Sequence, residues 1–426
     1  MKITPKAVLA VLFCALLVSR ASSESLTLSK PEEAGLSSER LKRIHSVIQS
    51  HIDAKDFAGA VTLVMRKGKL VHLEAHGLMD LESNKAMRTD TLFHMASMTK
   101  PVTAVAILML MEEGKLILSD PVSKYIPEFK NPKVAVWNLP NDPAGAGYHL
   151  VPADREITLQ HLLTHTSGLA NGEAGPAGEF FRRAALPRGG SLADRVKRAA
   201  SLPLNFQPGT QWEYSPGTGF DTLGRVVEIL SGMSLEQFVK QRIFGPLNMN
   251  DSFFTVPQNR MADVAPVYAH REQGLVRNPA APPLPAGVEY FSGSGGLTGS
   301  TEDYLQFAQM LLNGGQWNGK RLLSRKTVEL MTDNAIGNLD LRNYMEGEGD
   351  RQNLRGYGFG LGVRVRRSTG ASGWLGSNGD FGWAGANGTY FWIDPKEELI
   401  GMVMMSTRVA RLRTEIPNAV YQAIVD

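Results

Sequence analysis

Strand-like segments sit at the two ends of this chain and helical patterning fills the middle, and that distribution restricts the fold more than any other feature. Ala60–Met65 and Leu70–Ala75 are short apolar-rich segments around RKGK and predict a β-hairpin. Near the other end, Gly358–Arg366 alternates, Thr389–Ile393 is aromatic and β-branched, and Leu399–Ser406 is apolar, so each reads as a strand. Asp394-Pro395 with Lys396-Glu397 supplies the turn between the last two. In the middle, Val102, Val105, Ala106 and Met109 follow helical spacing, while Ile107, Leu108 and Leu110 fill the other sides. A helix apolar all round is predicted to be buried, and Gly114 offers its stop. Phe220–Leu230 and Tyr304–Leu312 predict amphipathic helices ending near Gly232 and Gly314. The simplest α/β arrangement pairs N- and C-terminal strands in one antiparallel sheet covered by helices, beside a mostly helical lobe. The expected α/β lobe spans about 30–95 and 290–426, the helical lobe about 96–289, with an active site in the cleft between them.

The chain has 426 residues, 43% hydrophobic and 20% charged. Its length suggests two lobes or more, and its composition supports a sizeable core rather than disorder. The opening stretch MKITPKAVLAVLFCALLVSRASS is read apart from the fold. Lys2 and Lys6 precede an apolar run from Ala7 to Val18, and Ser19, Ala21 and Ser23 offer small residues for cleavage. This predicts a secretory signal peptide over residues 1–23; the run is too short for a membrane-spanning helix of about 20 residues. The mature chain, 24–426, is expected to be periplasmic or secreted, without stable membrane insertion. Cys14, the only cysteine, lies in mid-run behind bulky Phe13, which does not suit lipid attachment, so neither disulfides nor cysteine chemistry are expected. An exported protein without disulfides fits a bacterial periplasm or medium. Cleavage after Ala21 removes Lys2, Lys6 and Arg20 and takes the formal charge from +3 to zero, which gives no electrostatic reason to expect nucleic acid. The local basic cluster Arg182, Arg183, Arg188, Arg195, Lys197 and Arg198 is read as a solvated face.

Several motifs fail on inspection. Gly314–Lys320, GGQWNGK, has phosphate-loop spacing, but Arg321 stands where Ser or Thr belongs and the stretch follows a helix rather than a strand. His161 and His165 in HLLTH have helical spacing for a metal pair, but the Glu of the zinc-protease pattern is absent and no third ligand is evident, so a structural role is expected. No G-x-S-x-G occurs, which excludes the nucleophile elbow of α/β-hydrolases. SMTK, residues 97–100, is different. A serine hydroxyl is a weak nucleophile until a base takes its proton, and three residues apart at a helix start Ser97 and Lys100 share a face. Lysine is a base only when neutral, so burial or nearby positive charge must lower its pKa of about 10.4 by about three units. The apolar helix that follows could supply the burial, and its N-terminal N–H groups lie near Ser97 to help stabilise an oxyanion. Pro101 disfavours the α conformation at Lys100, so a distorted first turn is expected.

The stretch 92–128, LFHMASMTKPVTAVAILMLMEEGKLILSDPVSKYIPEF, resembles the penicillin-recognising serine hydrolases, which include class C β-lactamases, D,D-carboxypeptidases and family-eight carboxylesterases. The likeness continues through ITLQHLLTHTSGL (157–169), PGTQWEYSPGTGFDTLGRVVEILSG (208–232) and GSGGLTGSTEDYLQFAQMLLNGG (293–315), and covers roughly residues 30–425. It implies a serine β-lactamase/transpeptidase-like fold, no metal and no organic cofactor. It also implies three motifs: Ser97 and Lys100 as nucleophile and lysine, Tyr214 in YSP (214–216) as proton shuttle, and WAG (383–385) on a strand edging the cleft. The third motif nominates Ala386 N–H as the oxyanion partner of Ser97 N–H, with Trp383 and Gly385 beside the substrate, where glycine suits close backbone approach. The departures bear on substrate. Lactamases and peptidases usually carry asparagine where Pro216 stands, and lysine or histidine where Trp383 stands. Both changes weaken recognition of a substrate carboxylate and leave acyl-transfer chemistry intact, so the resemblance is closer to the esterases. The expected substrates are short-chain carboxylic esters; a β-lactamase or D,D-peptidase, a short amide hydrolase and a catalytically silent muropeptide-binding relative are the alternatives.

Overall fold

The computed structural model describes residues 27–138, 147–170, 175–184, 186, 190–278, 289–339, 341 and 354–426. The predicted signal peptide with Cys14, most of the proline-rich stretch 278–287, most of the polar stretch 341–356, and Arg188 lie outside the described residues. Among the described residues no helix is long and apolar enough to cross a membrane.

The two ends of the chain meet in one eight-stranded sheet. Its strands are β1 (Gly59–Arg66), β2 (Lys69–Asp80), β3 (Lys85–Ala86), β4 (Tyr357–Phe359), β5 (Arg364–Arg366), β6 (Phe381–Ala384), β7 (Tyr390–Asp394) and β8 (Leu399–Met405). The order is β4-β5-β6-β7-β8-β1-β2-β3, and every neighbouring pair is antiparallel. The N- and C-terminal halves join where β1 pairs with β8, from Ala60↔Met405 to Arg66↔Leu399. The predicted hairpin turns at Lys67-Gly68, both with positive φ (51° and 72°), the geometry of a type I′ turn. Asp394 holds the other predicted turn by accepting the N–H groups of Lys396 and Glu397.

Gly358–Arg366 is not one strand. It breaks into β4 and β5, paired with each other from Tyr357↔Arg366 to Phe359↔Arg364. Gly362 reverses the chain at φ 84°, and a Cβ there would lie 2.9 Å from Ala104 Cβ, so alternation concealed a close approach that only glycine allows.

Both faces of the sheet are covered. Ala60, Val64, Tyr390, Trp392, Val403 and Met405 point to one face, where helices α1 (Arg43–Asp53) and, near the C-terminus, Leu412–Tyr421 bring Ile44, Ile48, Leu412 and Ile416. Val61, Leu63, Phe391, Ile393, Met402 and Met404 point to the opposite face and share a core with α2 (Thr99–Glu112), α3 (Leu159–Leu163), α4 (Thr218–Ser231) and α5 (Thr301–Leu312). Double burial explains why these strands read as near-continuous apolar runs. Every residue of α2 from Thr99 to Leu110 is buried, as its all-round apolar pattern predicts. Pro101 falls at the third helical position, where its missing N–H costs no intrahelical bond. Lys100 is helical despite it, and the irregularity appears one step earlier, as a 3₁₀ turn over Ala96–Met98.

Candidate active site

Ser97 lies in that 3₁₀ turn, directly after Ala96, whose φ of 45° is left-handed. A non-glycine residue there is strained by roughly 1 kcal/mol or more and must be held by its surroundings. Four bonds hold it. Met95 N–H donates to Leu297 O (2.9 Å), Leu297 N–H to Thr99 Oγ1 (3.0 Å), the Tyr304 hydroxyl to Met98 O (2.9 Å) and Thr389 Oγ1 to Met95 O (3.2 Å).

Lys100 is fully buried. Its Nζ reaches Ser97 Oγ at 3.1 Å, Pro216 O at 2.8 Å and Ser294 O at 2.8 Å. Burial pushes the ammonium down from 10.5 to about 7, against the opposing pull of the Asp221 carboxylate. The lowering that a lysine needs to act as a base is therefore present, supplied by desolvation within α2's apolar surroundings. An uncharged amine has two N–H donors and one lone pair. With two carbonyls taking the donors, the lone pair is left for Ser97.

The Tyr214 hydroxyl donates to Ser97 Oγ at 2.6 Å. Burial pushes its pKa up to about 12; hydrogen bonding to Ser97 and Trp383 and the Arg413 charge act the other way. Tyr214 is thus a neutral hydroxyl near pH 7, not a phenolate. Behind it, the His165 ring lies 4.7 Å away and the Trp383 ring 5.5 Å, centroid to centroid. Burial drives the His165 pKa far below its ordinary value, so that ring adds no charge next to Lys100.

His161 and His165 do not share a helical face. Helix α3 ends at Leu163, and His165 has a left-handed φ of 58°. His161 caps α3 with Thr158, and His165 Nδ1 accepts the Ser215 N–H at 3.3 Å. Both are built into the scaffold.

Trp383 is on β6 and only 4% exposed, packed against Tyr214 and perpendicular to Phe359. Gly385 follows β6, and its need for glycine is internal. A Cβ would lie 2.1 Å from Thr389 Oγ1 and 2.5 Å from Met95 O. It presses on the turn that carries Ser97. The Gly385 carbonyl accepts from Gly388 N–H (3.2 Å) and from Arg413 Nη2 (3.1 Å). In a trans peptide C=O and N–H point opposite ways, so these bonds fix the direction of the Ala386 N–H. Ala386 itself is exposed.

Sequence reasoning missed the support behind Lys100. Pro216 lacks a side-chain amide, yet its carbonyl is one of the three groups on Nζ. Asp221 of α4 is 1% exposed and accepts from the Tyr290 hydroxyl (2.5 Å), Ser292 Oγ (2.7 Å), Ser294 N–H (3.1 Å) and Arg195 Nε (3.3 Å). It thereby sets the Ser294 carbonyl over Lys100. Arg195, read with the basic cluster as solvated, turns inward to Asp221, while Arg182, Arg183, Lys197 and Arg198 are exposed. No local signal distinguishes Asp221 from any other acidic helix residue.

The chain is similar to several known proteins. Protein Rv1367c of Mycobacterium tuberculosis is 37% identical over 321 residues, 75% of this chain and 77% of that protein. Esterase EstB of Burkholderia gladioli is 34% identical over 284 residues, 62% of this chain and 68% of that protein. Among solved structures, EstCE1, a hydrolase with promiscuous acyltransferase activity, superposes with a TM-score of 0.73 at 26% identity, covering 90% of this chain and 99% of its own. The mixed α/β architecture is the serine β-lactamase/transpeptidase fold. The Beta-lactamase family model matches residues 44–425, and the chain belongs to that family as a serine hydrolase.

Proposed function

We propose that the protein hydrolyses short-chain carboxylic esters through an acyl-enzyme on Ser97. The observation that carries this reading is the convergence of Lys100 Nζ (3.1 Å) and the Tyr214 hydroxyl (2.6 Å) on Ser97 Oγ. Lys100, neutral above about pH 7, takes the Ser97 proton as Oγ attacks the ester carbonyl. The backbone N–H groups of Ser97 and Ala386 stabilise the oxyanion, and loss of one such donor costs about 2.7–4 kcal/mol. Tyr214 hands a proton to the leaving alcohol, and its high pKa keeps that proton in place until it is needed. Lys100 passes its proton to Tyr214, which restores both groups; water then enters, gives a proton to Lys100 as it attacks the acyl carbon, and that proton returns to Ser97 Oγ as the acid is released.

Ester preference rests on what the site lacks. Pro216 offers only a carbonyl, which Lys100 occupies, and Trp383 is an uncharged buried aromatic. Neither provides the amide or cation that would hold a β-lactam carboxylate. The similarity to Esterase EstB supports the same reading. Export through residues 1–23 belongs to the same proposal, and N-terminal sequencing of protein recovered outside the cytoplasm tests it.

The functional test is a paired assay of p-nitrophenyl butyrate and a chromogenic cephalosporin, with Ser97→Ala beside the parent protein. Ester turnover that disappears in the variant is expected. Ester turnover surviving Ser97→Ala overturns the nucleophile, and cephalosporin turnover far above ester turnover overturns the substrate ranking.

A further inference from the structure

Strand β2 carries His72, Glu74 and His76 at alternate positions, so the pleat turns all three to one face of the sheet. Their partners across β1 are Val64, Thr62 and Ala60, whose face is the one covered by α1, opposite to α2 and Ser97. His45 of α1 completes the group: its Nδ1 lies 2.7 Å from Glu74 Oε1. His76 Nδ1 approaches the same carboxylate oxygen at 3.7 Å, beyond hydrogen-bond reach. Ligand atoms of His45, Glu74 and His76 all lie within 4.8 Å of one another. The two imidazole centroids are 5.4 Å apart. Two histidines bound to one zinc ion at 2.0–2.1 Å with tetrahedral angles hold their centroids about 5 Å apart, so the group is close to a ligating geometry.

The residues behind the cluster suit this role. Thr62 Oγ1 contacts His72 Nε2 at 2.7 Å and His76 Nε2 at 2.9 Å. One hydroxyl proton serves one ring, so the oxygen can donate to His72 and accept from His76 Nε2–H. That tautomer leaves His76 Nδ1 with its lone pair facing the cluster, the form a metal takes, held by an outer-shell hydrogen bond. Exposure is graded: the side chain of His76 is 1% exposed, Glu74 38% and His45 54%. A cavity of about 520 Å³, lined in part by Leu41, His45, His72 and Glu74, borders the group and gives an ion both entry and room for water.

We propose that His45, Glu74 and His76 form a site for a divalent transition ion of the zinc class, with water completing the shell. The ion would clamp α1 to β2. Two imidazoles and one carboxylate are a zinc donor set, and a site joining a helix to a strand exists only in the folded chain.

The test uses untagged full-length protein, stripped with a chelator and titrated with zinc chloride by calorimetry. Cobalt(II) serves as a second probe, read by visible absorption. One ion per chain at a micromolar Kd or tighter is expected, with a melting temperature raised by roughly 3 °C when free zinc is about 100 times Kd. His45→Ala and Glu74→Gln change exposed or half-exposed side chains and should each weaken binding at least tenfold. Far-ultraviolet circular dichroism of the metal-free variants should match the parent and so separate lost binding from lost folding. Absence of saturable zinc binding in the parent, or binding by both variants as tight as the parent's, overturns the site and leaves a hydrogen-bonded histidine cluster only.

Discussion

Lys100 Nζ lies 3.1 Å from Ser97 Oγ while its whole side chain is buried, and that burial holds its pKa at about 7 in place of 10.5. In the proposed mechanism the neutral amine is the base, so kcat/KM for a p-nitrophenyl ester should rise through about pH 7. It should then stay level to at least pH 9, because Tyr214 is pushed up to about 12. A pH–rate profile checks this; an acid limb near 5, or a decline setting in by pH 8, contradicts the assignment.

The same shift predicts a stability signature. Between about pH 7 and 10.5 the unfolded chain binds a proton at Lys100 that the folded chain does not, so this group makes stability rise with pH in that window. Lys100→Met removes the dependence and abolishes turnover. Urea unfolding of parent and variant at pH 7 and pH 9 should show the difference between them moving in the parent's favour by about 2 kcal/mol. A constant difference would mean that Lys100 is charged in the folded state.

Tyr214→Phe deletes the hydroxyl and keeps the ring that packs on His165 and Trp383. Turnover should fall about 10²–10⁴-fold, the usual range for a general acid–base group. The melting temperature should change by only a few degrees. Thermal unfolding and steady-state kinetics on one preparation check both.

Arg413 donates to the Gly385 carbonyl at 3.1 Å and so helps aim the Ala386 N–H. Arg413→Met should lower kcat roughly 10–100-fold, part of the effect of a lost oxyanion donor. KM should change little, because the donor acts on charge that develops in the transition state. A rise in KM at constant kcat would instead make Arg413 a substrate-binding cation.

Asp221→Asn keeps the shape and removes a buried negative charge that raises the Lys100 pKa. The acid limb of the pH–rate profile should move to lower pH. Stability should fall by about 3 kcal/mol, since Asp221 has four donors turned toward it. An unmoved limb would show that Asp221 acts only as scaffold.

What sequence alone determined is what short-range pattern encodes. Apolar runs at both ends marked the strands now joined at the β1–β8 pair, and an all-round apolar stretch marked α2, because burial on every side needs apolar residues at every position. Ser97 and Lys100 were legible because one helical turn brings them together. Where two structures share a pattern the reading failed: alternation through Gly358–Arg366 fits one strand or a tight hairpin, and only the approach of Gly362 to Ala104 selects the hairpin. Tyr214 was found through resemblance, since nothing within 100 residues of Ser97 announces a partner 117 positions away. The tertiary structure alone decided the rest. It set the Pro216 and Ser294 carbonyls on Lys100, turned Asp221 and Arg195 inward, and placed His45 over Glu74. It also set the lysine's charge state. A pKa depends on how much water surrounds a group, and that is fixed only when distant segments close over it.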